Sequence, residues 1–220
     1  REIFRDEELR GYVGVIAVAV LIIIISLCMA GMYTGIEDTL RRVAFHVVSV
    51  ITTTGFVADD YDKWPELCRM VFIVIMFIGA SGGSTGGGCK VSRFIIMWRN
   101  LKAEVSRLIH PRAIITSRMN GKPIPKSTSD STTAFFVFYF LLLTLCTLIT
   151  TSYGIDILTA FSGVLTCLSN VGPGFNLLGA VESFSWLPDG VKWLFSFCMY
   201  AGRLELFAVL LLFMPSTYHK

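Results

Sequence analysis

The chain has 220 residues, of which 54% are hydrophobic and only 16% charged, with a formal net charge of +3. Its mean hydropathy is +0.66. Soluble globular proteins carry about 25% charged residues. The composition therefore excludes an ordinary soluble domain and predicts an all-α integral membrane protein whose first partner is the lipid bilayer. No nucleic-acid partner is expected.

The opening stretch, REIFRDEELR, shows no cleavable signal and reads as the interior of a longer protein. Residues 1–11 are expected as a cytoplasmic lead-in. Tyr12 to Tyr33 then runs without a charge. About 20 apolar residues suffice to cross roughly 30 Å of hydrocarbon, so this is a span. Asp38 to Ile51 follows, too short to cross, and ends in the polar loop TTTGF. Leu67 to Trp98 is a second long apolar run, broken by six glycines between Gly79 and Gly88.

A basic linker, 101–129, leads to a second uncharged span, Ala134 to Ser152. Asp156 to Leu168 is again of half length and ends in the loop SNVGPGF. Val191 to Met214 closes the chain as an apolar run interrupted by Arg203 and Glu205. The same order thus occurs twice, over 12–100 and 130–220. Each unit is expected to be helix, pore helix, filter loop, helix.

Charge orients the units. Lys90 to Lys126 holds nine Lys or Arg against one acid, Glu104, whereas Met32 to Glu66 holds six acids against three bases. Positive loops stay inside, so both polar loops belong to the outer side of a multi-pass protein. Irregular backbone at membrane depth is tolerated only in protein or beside water, and each loop is expected to line an aqueous path. Flat interfacial helices are the plain alternative. Glu37, Asp38, Arg41 and Arg42 suit that for the first unit, but the matched loops stay unexplained.

Backbone carbonyls can replace the hydration shell of a potassium ion, and glycine lets successive carbonyls point the same way. Thr52, Thr53, Thr54 and Gly55 fit these needs, as do Ser169, Asn170, Val171 and Gly172. Ion contact is expected at Thr53, Thr54, Asn170 and Val171. No carboxylate lies in either loop, which argues against a divalent ion. Cysteines 28, 68, 89, 146, 167 and 198 form no CxxC pair. With His46, His110 and His219 they show no ligand spacing, so they read as thiols in apolar contacts.

SVITTTGF, GGSTGGGCK, RLIHPRAI, SNVGPGF and AGRLELF, in this order, resemble the membrane subunits of bacterial Trk potassium uptake systems (TrkH and TrkG, with the related KtrB and plant HKT proteins). The resemblance runs from about Tyr12 to the end. Such proteins carry four repeats around one pore, and this chain matches the third and fourth. The resemblance implies a bacterial cytoplasmic membrane protein that transports potassium as its substrate without an organic cofactor. It implies a homodimer docked on a cytoplasmic, TrkA-like nucleotide-binding ring, and filter glycines at Gly55 and Gly172. It further implies an intramembrane gating loop, Gly82, Gly83, Ser84, Thr85, Gly86, Gly87 and Gly88, acting with Arg203 as a barrier.

The residues alone leave alternatives. Interior glycines each cost a helix about 1 kcal/mol, so the glycine run should not be a stable helix, yet close helix packing would also use small residues. Arg203 falls at a depth similar to that run, and intramembrane charge usually marks function. Glu205 suits either a structural pair or a gating role. The stretch Arg99 to Arg118 suits either anionic lipid or a regulator. Broken helices also occur in proton- or sodium-coupled transporters. Gly79-Ala80-Ser81-Gly82 matches an intramembrane serine protease pattern, but none of the histidines sits mid-span to serve Ser81. A phosphate loop fails because Cys89 stands between Gly88 and Lys90.

Overall fold

The computed structural model describes residues 6–33, 35–110, 116–204 and 206–213. Among the described residues it is a bundle of eight α-helices and one short hairpin. The first unit opens with α1 (Glu7–Ala30), capped by the Asp6 carboxylate, which accepts from the Glu8 amide. Gly31, at φ 64, ends it and turns its own N–H back to Leu27 and Cys28. That left-handed cap is cheap only for glycine, which is why α1 stops short of Tyr33. Val18, Leu21 and Met29 stand exposed along α1 while Ile23 and Leu27 are buried. Its length and hydropathy suffice for a membrane crossing, as do those of α5 (Lys126–Ser152).

Next come α2 (Ile36–Ile51), a loop, α3 (Glu66–Ile78), an irregular break and α4 (Val91–Ile109). The stretch expected as a linker, 101–129, holds the last turns of α4, a hairpin and the first turn of α5. In the hairpin Arg118 pairs with Pro123 and Met119 with Lys122. Asn120 and Gly121 turn it with φ of 50 and 76, the doubly positive pattern of a tight hairpin turn.

The second unit repeats the order: α5, the short α6 (Ile157–Ser169), a loop, then α7 (Asp189–Arg203) and α8 (Leu206–Phe213). Helix α6 is the centre of the molecule, buried continuously from Ser162 to Ser169. It packs on α5, α7 and, across the units, α3. A Cβ on Gly163 would stand 2.6 Å from Leu178 and 2.9 Å from Phe195. Here the missing side chain outweighs the helix cost of glycine because two large side chains take its place. Arg203 closes α7, and a bend at Leu204 separates it from α8. Glu205, His219, residues 1–5 and the PRAI part of RLIHPRAI lie outside the described residues.

Candidate functional site: two loops, a glycine break and an arginine

The loop after α2 is built on Ser49. Its carbonyl accepts from the amides of Thr54 at 3.0 Å and Gly55 at 3.3 Å, and its hydroxyl donates to Phe56 O at 2.7 Å. Thr52 Oγ1 donates to Val48 O at 2.7 Å and Thr54 Oγ1 to Ser49 O at 3.1 Å. Both hydroxyls thereby add a further bond to carbonyls that backbone amides already engage. Thr53, at φ 58, reverses the chain.

Behind this loop stands His46, fully buried. Its Nε2 accepts from the amides of Ala58 at 3.2 Å and Asp59 at 3.1 Å. Its Nδ1 lies 2.8 Å from Arg42 O. Asp59 O also lies 3.2 Å from Nε2, and the two amide donors assign Nε2 as the acceptor and the proton to Nδ1. Tyr61 and Trp64 pack edge-on against the ring. Histidine is suited here because the neutral ring offers one donor and one acceptor on opposite sides. The sequence weighed His46 only as a ligand or a base. Its actual partners are Arg42 O on its own helix and two amides of the returning loop.

The loop after α6 is held similarly. Val171 N donates to Thr166 O at 3.1 Å, and Gly172 N to Thr166 Oγ1 at 3.0 Å. Asn170, at φ 55, sends Nδ2 to Met199 O on α7 at 3.2 Å. Ser169 Oγ meets Tyr139 OH of α5 at 3.1 Å. The two loops touch: a Cβ on Gly55, whose φ is +70, would fall 1.9 Å from Val171 O. Gly172, at φ +112, has open space where its Cβ would be. Further along the same segments, Tyr61 OH donates to Gly174 O at 3.3 Å and Asp62 Oδ2 accepts from Asn176 N at 2.9 Å.

The break between α3 and α4 doubles back on itself. A Cβ on Gly79, at φ +71, would lie 2.6 Å from Gly87 O. Cys89 N donates to Phe77 O at 3.3 Å and Val91 N to Ala80 O at 3.1 Å. The excursion so pinched packs against both loops. Gly86 leaves room for Thr53 Oγ1, 2.8 Å from its would-be Cβ, and Gly87 for Ser169 O at 2.3 Å. Ser84 Oγ donates to Ser81 O at 2.6 Å, tightening the turn.

Arg203, at the end of α7, donates from its guanidinium to Thr85 O of this excursion. A cavity of about 290 Å³ lies here, lined by Ser84, Thr85, Gly86, Lys90, Tyr139 and Arg203 among others. The structure thus brings together the residues picked from the sequence: Thr52 to Gly55, Ser169 to Gly172, the stretch Gly82 to Gly88, and Arg203. Among the described residues no cluster of three or more His, Cys, Asp or Glu could hold a metal ion. Ser81 receives no base from His46, whose ring nitrogens are both engaged elsewhere.

These features define a helical membrane protein with two matched helix–loop units that touch at Gly55 and Val171 and pack on a glycine-rich break. The model of the TrkH family, described as cation transport proteins, matches residues 12–219, and the chain belongs to that family. It is 36% identical over 219 residues to the Trk system potassium uptake protein TrkI of Halomonas elongata, covering 99% of this chain and 44% of that protein. Identity to the Trk system potassium uptake protein TrkH of Escherichia coli K12 is 32%, again over 99% of this chain and 44% of the relative. The crystal structure of the potassium transporter TrkH from Vibrio parahaemolyticus superposes with a TM-score of 0.90 at 34% identity, covering 98% of this chain and 46% of that one. The chain therefore spans a little under half the length of these relatives.

Proposed function

We propose that this chain forms half of a gated potassium pore in the bacterial cytoplasmic membrane, a multi-pass subunit for potassium uptake. The observation that carries the reading is the contact of Gly55 with the Val171 carbonyl in two loops packed on a glycine break that Arg203 holds. In this reading α2 and α6 are pore helices entering from the outer side. Their C-terminal dipoles favour a cation at the loops. Carbonyls of Thr52 to Gly55 and Ser169 to Gly172 replace water around the ion, with contacts at Thr53, Thr54, Asn170 and Val171. Potassium is the transported substrate.

Gly82 to Gly88 forms the gating loop beneath the filter, and the Arg203 guanidinium adds a positive charge that repels the cation. Two further repeats complete the ring. A homodimer and a cytoplasmic TrkA-like nucleotide-binding ring are the proposed partners. The potassium uptake named for the relatives supports the substrate.

The deciding assay expresses the intact gene in a host deficient in potassium uptake and follows growth at low potassium and rubidium entry. Growth rescued by the wild-type gene and lost on substituting Gly55 is the expected result. Rubidium entry indifferent to Gly55 and Gly172 would sink the filter. Uptake that follows an imposed proton or sodium gradient would instead favour coupled transport.

A further inference from the structure

The start of α1 carries three acids in succession, which between them hold the hairpin, α4 and the glycine break. Asp6 Oδ1 accepts from Asn120 Nδ2 at 2.8 Å. Glu7 Oε2 accepts from the Asn120 amide at 2.9 Å and pairs with Arg99 of α4 at 2.7 Å. The Glu7 amide in turn donates to Asn120 Oδ1 at 3.0 Å. Asn120 is the turn residue of the hairpin, so the hairpin tip is gripped at both backbone and side chain. Glu8 reaches the other way: its Oε1 accepts from the Gly82 amide. Gly82 also lies close against α4, because a Cβ there would stand 2.6 Å from Ser92 Oγ.

Resting on the gate reading above, we propose that Glu8 is the positioning residue that latches the glycine loop in its obstructing place, and that Asp6 and Glu7 tie this latch to the cytoplasmic hairpin. A glycine-rich segment has little conformational preference of its own. Its position is therefore set by the few bonds that it makes. A carboxylate accepting a backbone amide is among the stronger of these. The three acids share one helical turn, so a pull on Asn120 is transmitted to Glu8 by stiff backbone. Displacing the hairpin, by whatever regulator binds it, would draw Glu8 away from Gly82 and free the loop.

The test uses the protein from its intact gene, reconstituted in liposomes, with rubidium flux as the readout. Glu8→Ala is expected to raise basal flux about tenfold or more, as loss of one charge-assisted bond would. Glu8→Gln keeps an acceptor oxygen and should raise it markedly less. Asn120→Ala should also raise flux, and adding it to Glu8→Ala should change little, because both cut one connection. Independent, multiplying effects would overturn the tie to the hairpin.

Labelling of Ser84→Cys by a membrane-impermeant thiol reagent reads the loop position directly. Faster labelling in the Glu8→Ala or, where that variant does not purify as a monodisperse protein, the Asn120→Ala background is expected. An unchanged rate would overturn the latch. Arg203→Ala separates the two readings. If it raises flux while Glu8→Ala does not, the latch alone fails; if neither raises flux, the gate reading fails with it.

Discussion

Gly55 and Gly172 occupy matching places in the two loops, yet they are glycines for different reasons. Both have positive φ, which costs an L-residue roughly 1–2 kcal/mol. Only Gly55 is also without room, its would-be Cβ falling 1.9 Å from Val171 O, whereas that of Gly172 meets nothing within 4 Å. Gly55→Ala should therefore separate the loops and abolish selective rubidium uptake, while Gly172→Ala should reduce it several-fold and leave the protein folded. Equal effects would show that backbone angle alone decides. His46 is the second residue whose work is measurable. His46→Ala leaves the Ala58 and Asp59 amides without their ring acceptor, and each lost hydrogen bond costs about 0.5–1.5 kcal/mol. A lower melting temperature and weaker potassium-over-sodium discrimination should follow together, and discrimination that survives the loss of stability would limit His46 to the fold. The glycines were legible in the sequence because glycine after a run of threonines or beside proline has few other uses. The histidine was not, because its acceptor role depends on amides 12 and 13 residues away that only the folded loop returns to it.

At the scale of elements, hydropathy located the spans but not their ends. Helix α5 begins at Lys126, more than two turns before the apolar run from Ala134. Its first turns read KSTSDSTT, which carries no apolar signal. In these turns Thr132 and Thr133 return their hydroxyls to Thr128 O at 2.8 Å and Ser129 O at 3.1 Å, so the polar side chains are satisfied within the helix. The start of α6, by contrast, was marked by its cap. Asp156 accepts from the Leu158 and Thr159 amides at 3.1 and 3.3 Å, and from Asn176 Nδ2 at 3.2 Å. It thus joins the start of the short helix to the segment returning from its loop. The Thr159 amide, with smaller help from Asn176 and Leu158, holds the Asp156 carboxyl below the usual carboxylate range. A depressed pKa in the folded state makes the unfolded state bind the proton first. The stabilisation is therefore complete above the unfolded value of about 4 and is lost as pH falls through the folded one. Asp156→Ala should lower the melting temperature at neutral pH, and Asp156→Asn, which keeps the cap, should lower it less. Either variant should flatten the loss of stability below about pH 4. A variant melting curve that tracks wild type throughout the acid range would remove Asp156 from the account.

Across the whole molecule, the sequence showed two units of the same order and placed Arg203 level with the glycine run. It could not show that they touch, since Arg203 and Thr85 are 118 residues apart and meet only because α6 packs against both α3 and α7. That contact gives Arg203 two separable effects on the proposed pore. Its charge opposes a cation beneath the filter: at roughly 8 Å and an effective dielectric near 20 the repulsion is about 2 kcal/mol, near 30-fold in flux. Its bond to Thr85 O holds the loop in place, and a hydrogen bond from a charged group is worth about 1.5–3 kcal/mol, a similar factor. Arg203→Ala removes both and should raise rubidium flux by at least about 30-fold. Arg203→Lys keeps the charge and one donor on a more flexible stem, so the pore should stay mostly closed. Arg203→Gln keeps a donor for Thr85 O without the charge, and its flux measures the electrostatic share directly. Flux in Arg203→Gln as low as in wild type would assign the barrier to the tether alone. Flux as high as in Arg203→Ala would assign it to charge. An Arg203→Ala protein that conducts no better than wild type would leave the break between α3 and α4 as packing, with no part in gating.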